Sequence, residues 1–332
     1  MSTLRENIER IKSENTTIRE KYQKLRIELG LDHENVCNVL EIPYYGSSSR
    51  LNDAVNNELR SRRQRRVADT RETIENANAW LETLQASEIY TQRTFGVEIE
   101  CLLPHTFNVC SAIRNVNVEI VDNYYNYNHQ DSATAYKFMS DASVGGNNRR
   151  GGEIVTPILR NFDTLSSVCS VLNANNVKVN KTCGLHVHVS AADLTADQYV
   201  NVFKNYQKLE RLIDTFMAES RRKFNNRFCN SILRLDFTNC TNFDDVSRVA
   251  GTRYIKVNPQ AYRRHKTIEF RQHQGSTDIV KIAKWVSFCE KLVEFSKHQV
   301  FENEISNIDD IVFLSTSEKS FFKARQTYFA NR

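Results

Sequence analysis

The 332-residue sequence is poor in the residues that punctuate or cross-link a chain, with four prolines, ten glycines and three methionines. That scarcity excludes collagen-like and linker-dominated architectures. Its eight cysteines (37, 101, 110, 169, 183, 229, 240 and 289) form no C-x-x-C pair. This argues against a zinc ribbon or a disulfide framework and suggests reduced, mostly buried thiols in a cytoplasmic protein, a single catalytic thiol being the alternative. No stretch approaches the roughly 18 apolar residues of a spanning helix, so no membrane role is expected. The opening MSTLRENIERIKSEN has no apolar core of the secretory-signal kind. Neither G-x-x-x-x-G-K-[ST] nor H-E-x-x-H occurs. What is present is 40% hydrophobic and 10% aromatic residues, enough for a sizeable core, and a mild net charge of +5 that does not by itself imply nucleic acid.

Along the chain, Leu4, Ile8, Ile11, Ile18, Tyr22, Leu25 and Leu29 recur at helical spacings. They predict a helix over 3–30 that is a candidate for a short coiled coil and self-association. A second helical stretch is expected over 51–88. It contains the run Arg60, Arg62, Arg63, Arg65 and Arg66, which reads as a solvated face or as a nucleic-acid contact. The character changes near residue 91. From there short β-like runs alternate with loops, joined by a helix near 195–224 and another over 278–298. This predicts an α+β architecture in three parts: a helical region 1–90, a strand-rich domain 91–300 and a short helical tail 301–332.

Four β-like segments carry the chemistry. In Arg93–Leu103 the strand alternation puts Phe95, Val97, Ile99 and Cys101 on one face and Gly96, Glu98 and Glu100 on the other. Two carboxylates roughly 7 Å apart repel unless water or a cation lies between them. The second segment runs through Asp141 and Ser143 into the glycine-rich Gly145–Gly152, with Arg149 and Arg150, and then Glu153 to Pro157. Backbone N–H groups and guanidinium forks in such a loop suit phosphate oxygens, and an ordinary hairpin explains it too. In the third, Lys181–Ser190, His186 and His188 share a face with Gly184 and Ser190. Two histidines beside a glycine that leaves room for a ligand are candidates for metal or phosphate contact. In the fourth, Lys266–His273, the alternation puts Ile268 and Phe270 on one side and Glu269, Arg271 and His273 on the other. Paired in one antiparallel sheet, these strands would gather Glu98, Glu100, Glu153, His186, His188, Glu269 and Arg271. Hard oxygen donors with an imidazole suit Mg²⁺ or Mn²⁺ better than Zn²⁺, and magnesium works with substrate phosphates.

The motifs G-V-E-I-E at 96–100, D-x-S at 141–143, G-G-E-I-V-T-P at 151–157, C-G-L-H-V-H-V at 183–189 and T-I-E-F-R at 267–271, followed by G-S-T-D, resemble in this order the amidoligase family. That family belongs to the glutamine synthetase and glutamate–cysteine ligase superfamily. Arg253 to Asn258 is similar to a further family element, and Arg222 to Cys229 more loosely so. The resemblance implies a curved antiparallel sheet of glutamine synthetase type that binds ATP. It implies divalent metals at Glu98, Glu100, Glu153, His186 and Glu269, a γ-phosphate clamp at Arg271, and His188 near phosphate or substrate. Glu269, Arg271 and His188 are the catalytic candidates. Arg271, His188, Arg149, Arg150, Arg253 and Asn258 are the candidates for nucleotide or substrate contact. The reaction implied joins a carboxylate to an amine through an acyl phosphate, with ATP and Mg²⁺ (or Mn²⁺) required. Two other readings stay open on the residues: a metal-dependent hydrolase or nuclease on the same face, and a binding protein that works through its basic N-terminal helices.

Overall fold

The computed structural model describes residues 4–29, 31–42, 55–57, 93–124, 134–146, 149–222, 224 and 226–330. The chain divides into two compact units, Met1–Ala79 and Trp80–Arg332.

In the first unit the helix expected over 3–30 is two helices, α1 (Leu4–Ser13) and α2 (Ile18–Ile27), followed by α3 (His33–Leu40). The interruption has a local cause. Thr17 is extended, its hydroxyl accepts the N–H of Glu20, and the Glu20 carboxylate accepts the N–H of Thr17. This reciprocal cap starts a new helix where a continuous one would have to run through Asn15–Thr16. Ile11, Tyr22, Leu25, Val36, Cys37 and Val55 form a buried cluster. The apolar stripe that suggested a coiled coil is thus largely consumed within the unit, while Leu4 and Ile18 stay exposed. Apart from 55–57, the helix expected over 51–88, including the Arg60–Arg66 run, lies outside the described residues.

The second unit runs β1 (Phe95–Leu103), α4 (Val109–Arg114), β2 (Ile120–Asn123), β3 (Tyr136–Met139), β4 (Arg150–Val155) and α5 (Asp163–Ala174). It continues with β5 (Gly184–Ser190), α6 (Ala196–Thr215), α7 (Glu219–Arg222), α8 (Phe243–Ala250), β6 (Val257–Asn258), α9 (Ala261–His265), β7 (Thr267–Gln274) and α10 (Ile279–Ser296). A 3₁₀ turn (Ile308–Asp310) and α11 (Thr316–Ala330) complete it. The sheet is open, with strand order β2-β3-β4-β1-β5-β7-β6. The four motif-bearing segments are its contiguous antiparallel centre, β4-β1-β5-β7. The antiparallel pairing expected of these four segments is what the structure has, and β2 and β3, which pair in parallel, make the seven-stranded sheet mixed rather than wholly antiparallel. Among the described residues no helix is long and apolar enough to cross a membrane.

Register decides which side chains meet. Val97 lies opposite Val187, and Ile99 opposite both Ile154 and Leu185, all of them buried. This apolar side faces helices such as α10, whose Trp285 and Phe288 are fully buried. Caps fix the two long helices: Thr195 and Gln198 cap each other at α6, and Asp278 accepts the N–H groups of Val280 and Lys281 at α10. The expected tail belongs to this core. Phe322 of α11 packs on Phe216 and Phe288, and buried Glu318 accepts from Ser287 and Lys291 of α10.

One irregularity overturns a strand-parity expectation. Val187 pairs with Phe270, but Leu185 pairs with His273. A regular ladder would bring Gln272 opposite Leu185. The extra residue of this β-bulge turns His273 in with Leu185, away from Glu269 and Arg271. His273 is buried 5.8 Å from the Trp285 ring, where burial holds its imidazole well below the ordinary range.

Candidate metal and phosphate centre

The polar side of β4-β1-β5-β7 is assembled by cross-strand pairing. Glu100 lies opposite Glu153, Glu98 opposite His186, and His188 opposite both Gly96 and Glu269. Glu98 Oε2 lies 2.8 Å from His186 Nδ1, and the other His186 nitrogen is 3.4 Å from Glu100 Oε1. Glu269 Oε1 stands 3.7 Å from His186 Nδ1, so His186 is ringed by three carboxylates from two neighbouring strands. Two sets of donors lie close enough to share an ion: Glu98, His188 and Glu269, and Glu100, Asp141 and Glu153, each with ligand atoms within 4.8 Å of one another.

Neighbours hold four of these donors, His188, Glu269, Asp141 and Glu100. Thr267 Oγ1 is 3.0 Å from His188 Nδ1. The other ring nitrogen of His188 is buried, 3.3 Å from Glu98 Oε1, and makes no hydrogen bond. Asn258 on β6 donates to Glu269 Oε2 at 2.6 Å, and its own carbonyl accepts the N–H of Gln260. Asp141 is fixed by the N–H and hydroxyl of Ser143 at 2.6 and 2.7 Å. Glu100 accepts the backbone N–H of Gly184. Arg271 donates to Glu269, its Nε has no partner, and its guanidinium lies 5.8 Å from the Tyr254 ring, which Arg253 also covers.

The electrostatics are those of a site short of positive charge. Burial opposes ionisation of Glu98, yet His186 and His188 hold its carboxyl well below the usual range. Burial also opposes the His188 cation, and Glu98 outweighs it and raises the imidazole. Glu153 has no such partner. Burial, then Glu98, Asp141, Glu100 and Glu269, push it well above the ordinary carboxylate range. Crowded carboxylates and an orphaned, buried imidazole nitrogen aimed at them fit a divalent cation. Oxygen donors with one histidine fit Mg²⁺ or Mn²⁺.

The structure brings together Glu98, Glu100, Glu153, His186, His188, Glu269 and Arg271, with Asn258 behind Glu269 and Arg253 beside Tyr254. It does not bring Arg149 and Arg150 to this face. Arg149 donates to the carbonyls of Asn176 and Leu102. Arg150 is one residue out of phase with Gly151 and Glu153, stacks over Tyr124 and Phe138, and donates to Phe107 O. Tyr124, first of the aromatic run 124–129, donates to Gly151 O, and the rest of that run lies outside the described residues. Asp141 is a donor that the strand patterns did not single out. It sits in a loop, and its only sequence signal is the D-x-S spacing. All eight cysteines are free and buried, and burial pushes the Cys101 and Cys169 thiols far up, which argues against a catalytic thiolate.

An open mixed sheet with an acidic, histidine-bearing face and a flanking arginine defines the class of centre. A family model described as putative amidoligase enzyme matches residues 91–293, and the chain belongs to that family. No curated protein matches the chain. Family membership supports a ligase-type enzyme.

Proposed function

We propose that this face is the centre of an ATP- and Mg²⁺-dependent carboxylate–amine ligase on a glutamine synthetase-like sheet. The observation that carries the reading is the pair of three-donor sets, five donors on adjoining strands and Asp141 on a loop, with Arg271 paired to Glu269, in a member of the amidoligase family. Glu98, His188 and Glu269 would hold one divalent ion and Glu100, Asp141 and Glu153 another, with His186 between the sets. Bound Mg²⁺ would supply positive charge to the phosphate oxygens.

The chain's own groups do the rest. Arg271 offers a fork to the γ-phosphate, and Arg253 with Tyr254 is a candidate for nucleotide contact. Asn258 and Thr267 orient Glu269 and His188. In the first step a substrate carboxylate oxygen attacks the γ-phosphorus of ATP, the bond to the ADP oxygen breaks, and an acyl phosphate forms. In the second step an amine nitrogen attacks the acyl carbon, phosphate leaves, and the nitrogen gives up a proton to yield the amide. Preorganised charge at the phosphoryl group is where most of the acceleration would arise.

The test is phosphate release from ATP and Mg²⁺ with pooled carboxylates and amines, in wild type, Glu269→Gln and Arg271→Ala. Turnover that needs both pools, and that falls at least about 100-fold in each variant, is the expected outcome. Absence of nucleotide binding under every pool would move the weight to a binding protein on a ligase scaffold. Hydrolysis of a phosphodiester with no response to nucleotide would move it to a nuclease.

A further inference from the structure

Against Gly184, on the polar side of β5, stands a cation that the mechanism above does not use. Arg221 of α7 is 4% exposed. Its Nε has no partner, and its Nη2 reaches only the Thr182 carbonyl at 3.3 Å. Among the described residues no carboxylate comes within ion-pair distance of it. A buried guanidinium without a counter-charge is costly and calls for an anion.

The surroundings are shaped around it. A Cβ on Gly184 would lie 3.0 and 3.1 Å from Arg221 Nη2 and Nη1 and 2.8 Å from His186 Nε2. Glycine at 184 therefore lets the guanidinium lie against the polar side of β5, next to the strand position whose N–H binds Glu100. A cavity of about 560 Å³ is lined by residues 179–181, 218–220 and 274–275, next along the chain to Thr182, Arg221 and the end of β7, while Arg221 itself lies behind that lining.

We infer that Arg221 is the receptor for the carboxylate of the acyl substrate, whose body occupies this cavity. The inference rests on the ligase reading for the word acyl, and on the geometry for the word carboxylate. Two anions must meet on one face in that reading. Arg271, paired with Glu269, serves the first donor set. The planar fork of Arg221 lies against Gly184, on the strand that carries His186, and matches a carboxylate edge-on.

The experiment uses the full chain and trifluoroacetate as the probe carboxylate, followed by ¹⁹F NMR with Mg²⁺ present, with and without the non-hydrolysable ATP analogue AMP-PNP. Wild type should broaden the trifluoroacetate line saturably. Arg221→Met and Arg221→Lys should weaken this at least about tenfold, with melting temperatures equal to or above wild type, while Arg271→Met keeps it. Four results overturn the inference: no binding by wild type, binding untouched by either Arg221 variant, displacement by AMP-PNP, or a loss that comes only with a collapsed melting transition in both variants. Displacement by AMP-PNP would make Arg221 a phosphate clamp. If AMP-PNP fails to bind at all while trifluoroacetate still depends on Arg221, the carboxylate site stands and the ATP reading falls.

Discussion

At the scale of single residues, the site is a set of frustrated charges, and each frustration gives a measurable consequence. Glu153 faces Glu100 across the strand pair, and among the described residues it has no ion-pair partner. Replacing it with Gln removes repulsion and keeps the shape. Without divalent metal at neutral pH, Glu153→Gln is expected to melt a few degrees above wild type, since about 1 kcal/mol corresponds to about 2–4 °C in a unit of this size. The same variant should gain less than wild type when Mg²⁺ is added, and a thermal melt with and without metal reads both effects. His188 gives the complementary case. Thr267 ties down one ring nitrogen and leaves the other facing Glu98 and Glu269. Thr267→Val keeps the volume and removes that tie. Mn²⁺ affinity by calorimetry should fall about 10–100-fold, the usual cost of losing a group that orients a ligand, and an unchanged affinity would take His188 out of the metal set. The strand patterns carried most of this site because alternation alone separates Glu98, Glu100, His186, His188 and Glu269 from the core. Asp141 showed only through its D-x-S spacing, because a loop has no period to read. Arg149 and Arg150 misled because a glycine-rich loop predicts backbone freedom and says nothing about where a guanidinium finds its carbonyls.

At the scale of elements, the sequence showed β1, β5 and β7 through their alternation, the end of β4 from Glu153 on, and α6 and α10 within the helices expected near 195–224 and over 278–298. Strands such as β3 and β6 are four and two residues long, too short to show a period. The bulge on β7 was equally invisible, since nothing in Arg271–Gln272–His273 announces an extra residue. What holds it is tertiary. Gln272 accepts from Tyr206 and donates to Asp214 on α6, and Lys256 binds both Asp214 and Glu210 in the same buried network. Behind the site, then, sits a polar cluster that fixes where Arg271 emerges. Burial raises the Asp214 carboxyl to about 6, despite Lys256. The sign follows from linkage. Between about pH 4 and pH 6 the folded protein holds a proton at Asp214 that the unfolded chain has released, so this group's contribution is full below pH 4 and is lost as pH rises through 6. Asp214→Asn cannot titrate. The melting temperature of the variant relative to wild type should therefore improve from pH 4 to pH 7, and a constant difference would show that Asp214 ionises normally in the fold.

At the scale of the whole molecule, the match to the amidoligase family ends at residue 293, yet the unit that carries the site does not. Beyond that point the chain returns as α11 and closes the back of α10. Phe322 lies against Phe216 and Phe288, Phe313 against Phe288 and Phe295, and the Lys291–Glu318 pair is almost wholly buried. Cutting the chain at 300 would take Glu318 away from Lys291 and expose Phe216 and Phe288. Loss of either a buried ion-pair partner or a large core side chain costs about 3–5 kcal/mol, and a domain's whole stability is of the order of 5–15 kcal/mol. The N-terminal boundary is a different case. Residues 4–42 and 55–57 build a core of their own, with Ile11, Tyr22, Leu25, Val36, Cys37 and Val55 buried together. Residues 80–332 should therefore fold and keep ATP turnover, whereas residues 80–300 should fail to give a cooperative melt. A first unit that is dispensable for turnover would be free to bind a partner, a macromolecular substrate or a second copy of the chain. Size-exclusion with light scattering on the full chain and on 80–332 separates these roles. A fall in oligomeric state on truncation assigns self-association to the helical unit, and a loss of turnover at unchanged oligomeric state assigns it to substrate delivery.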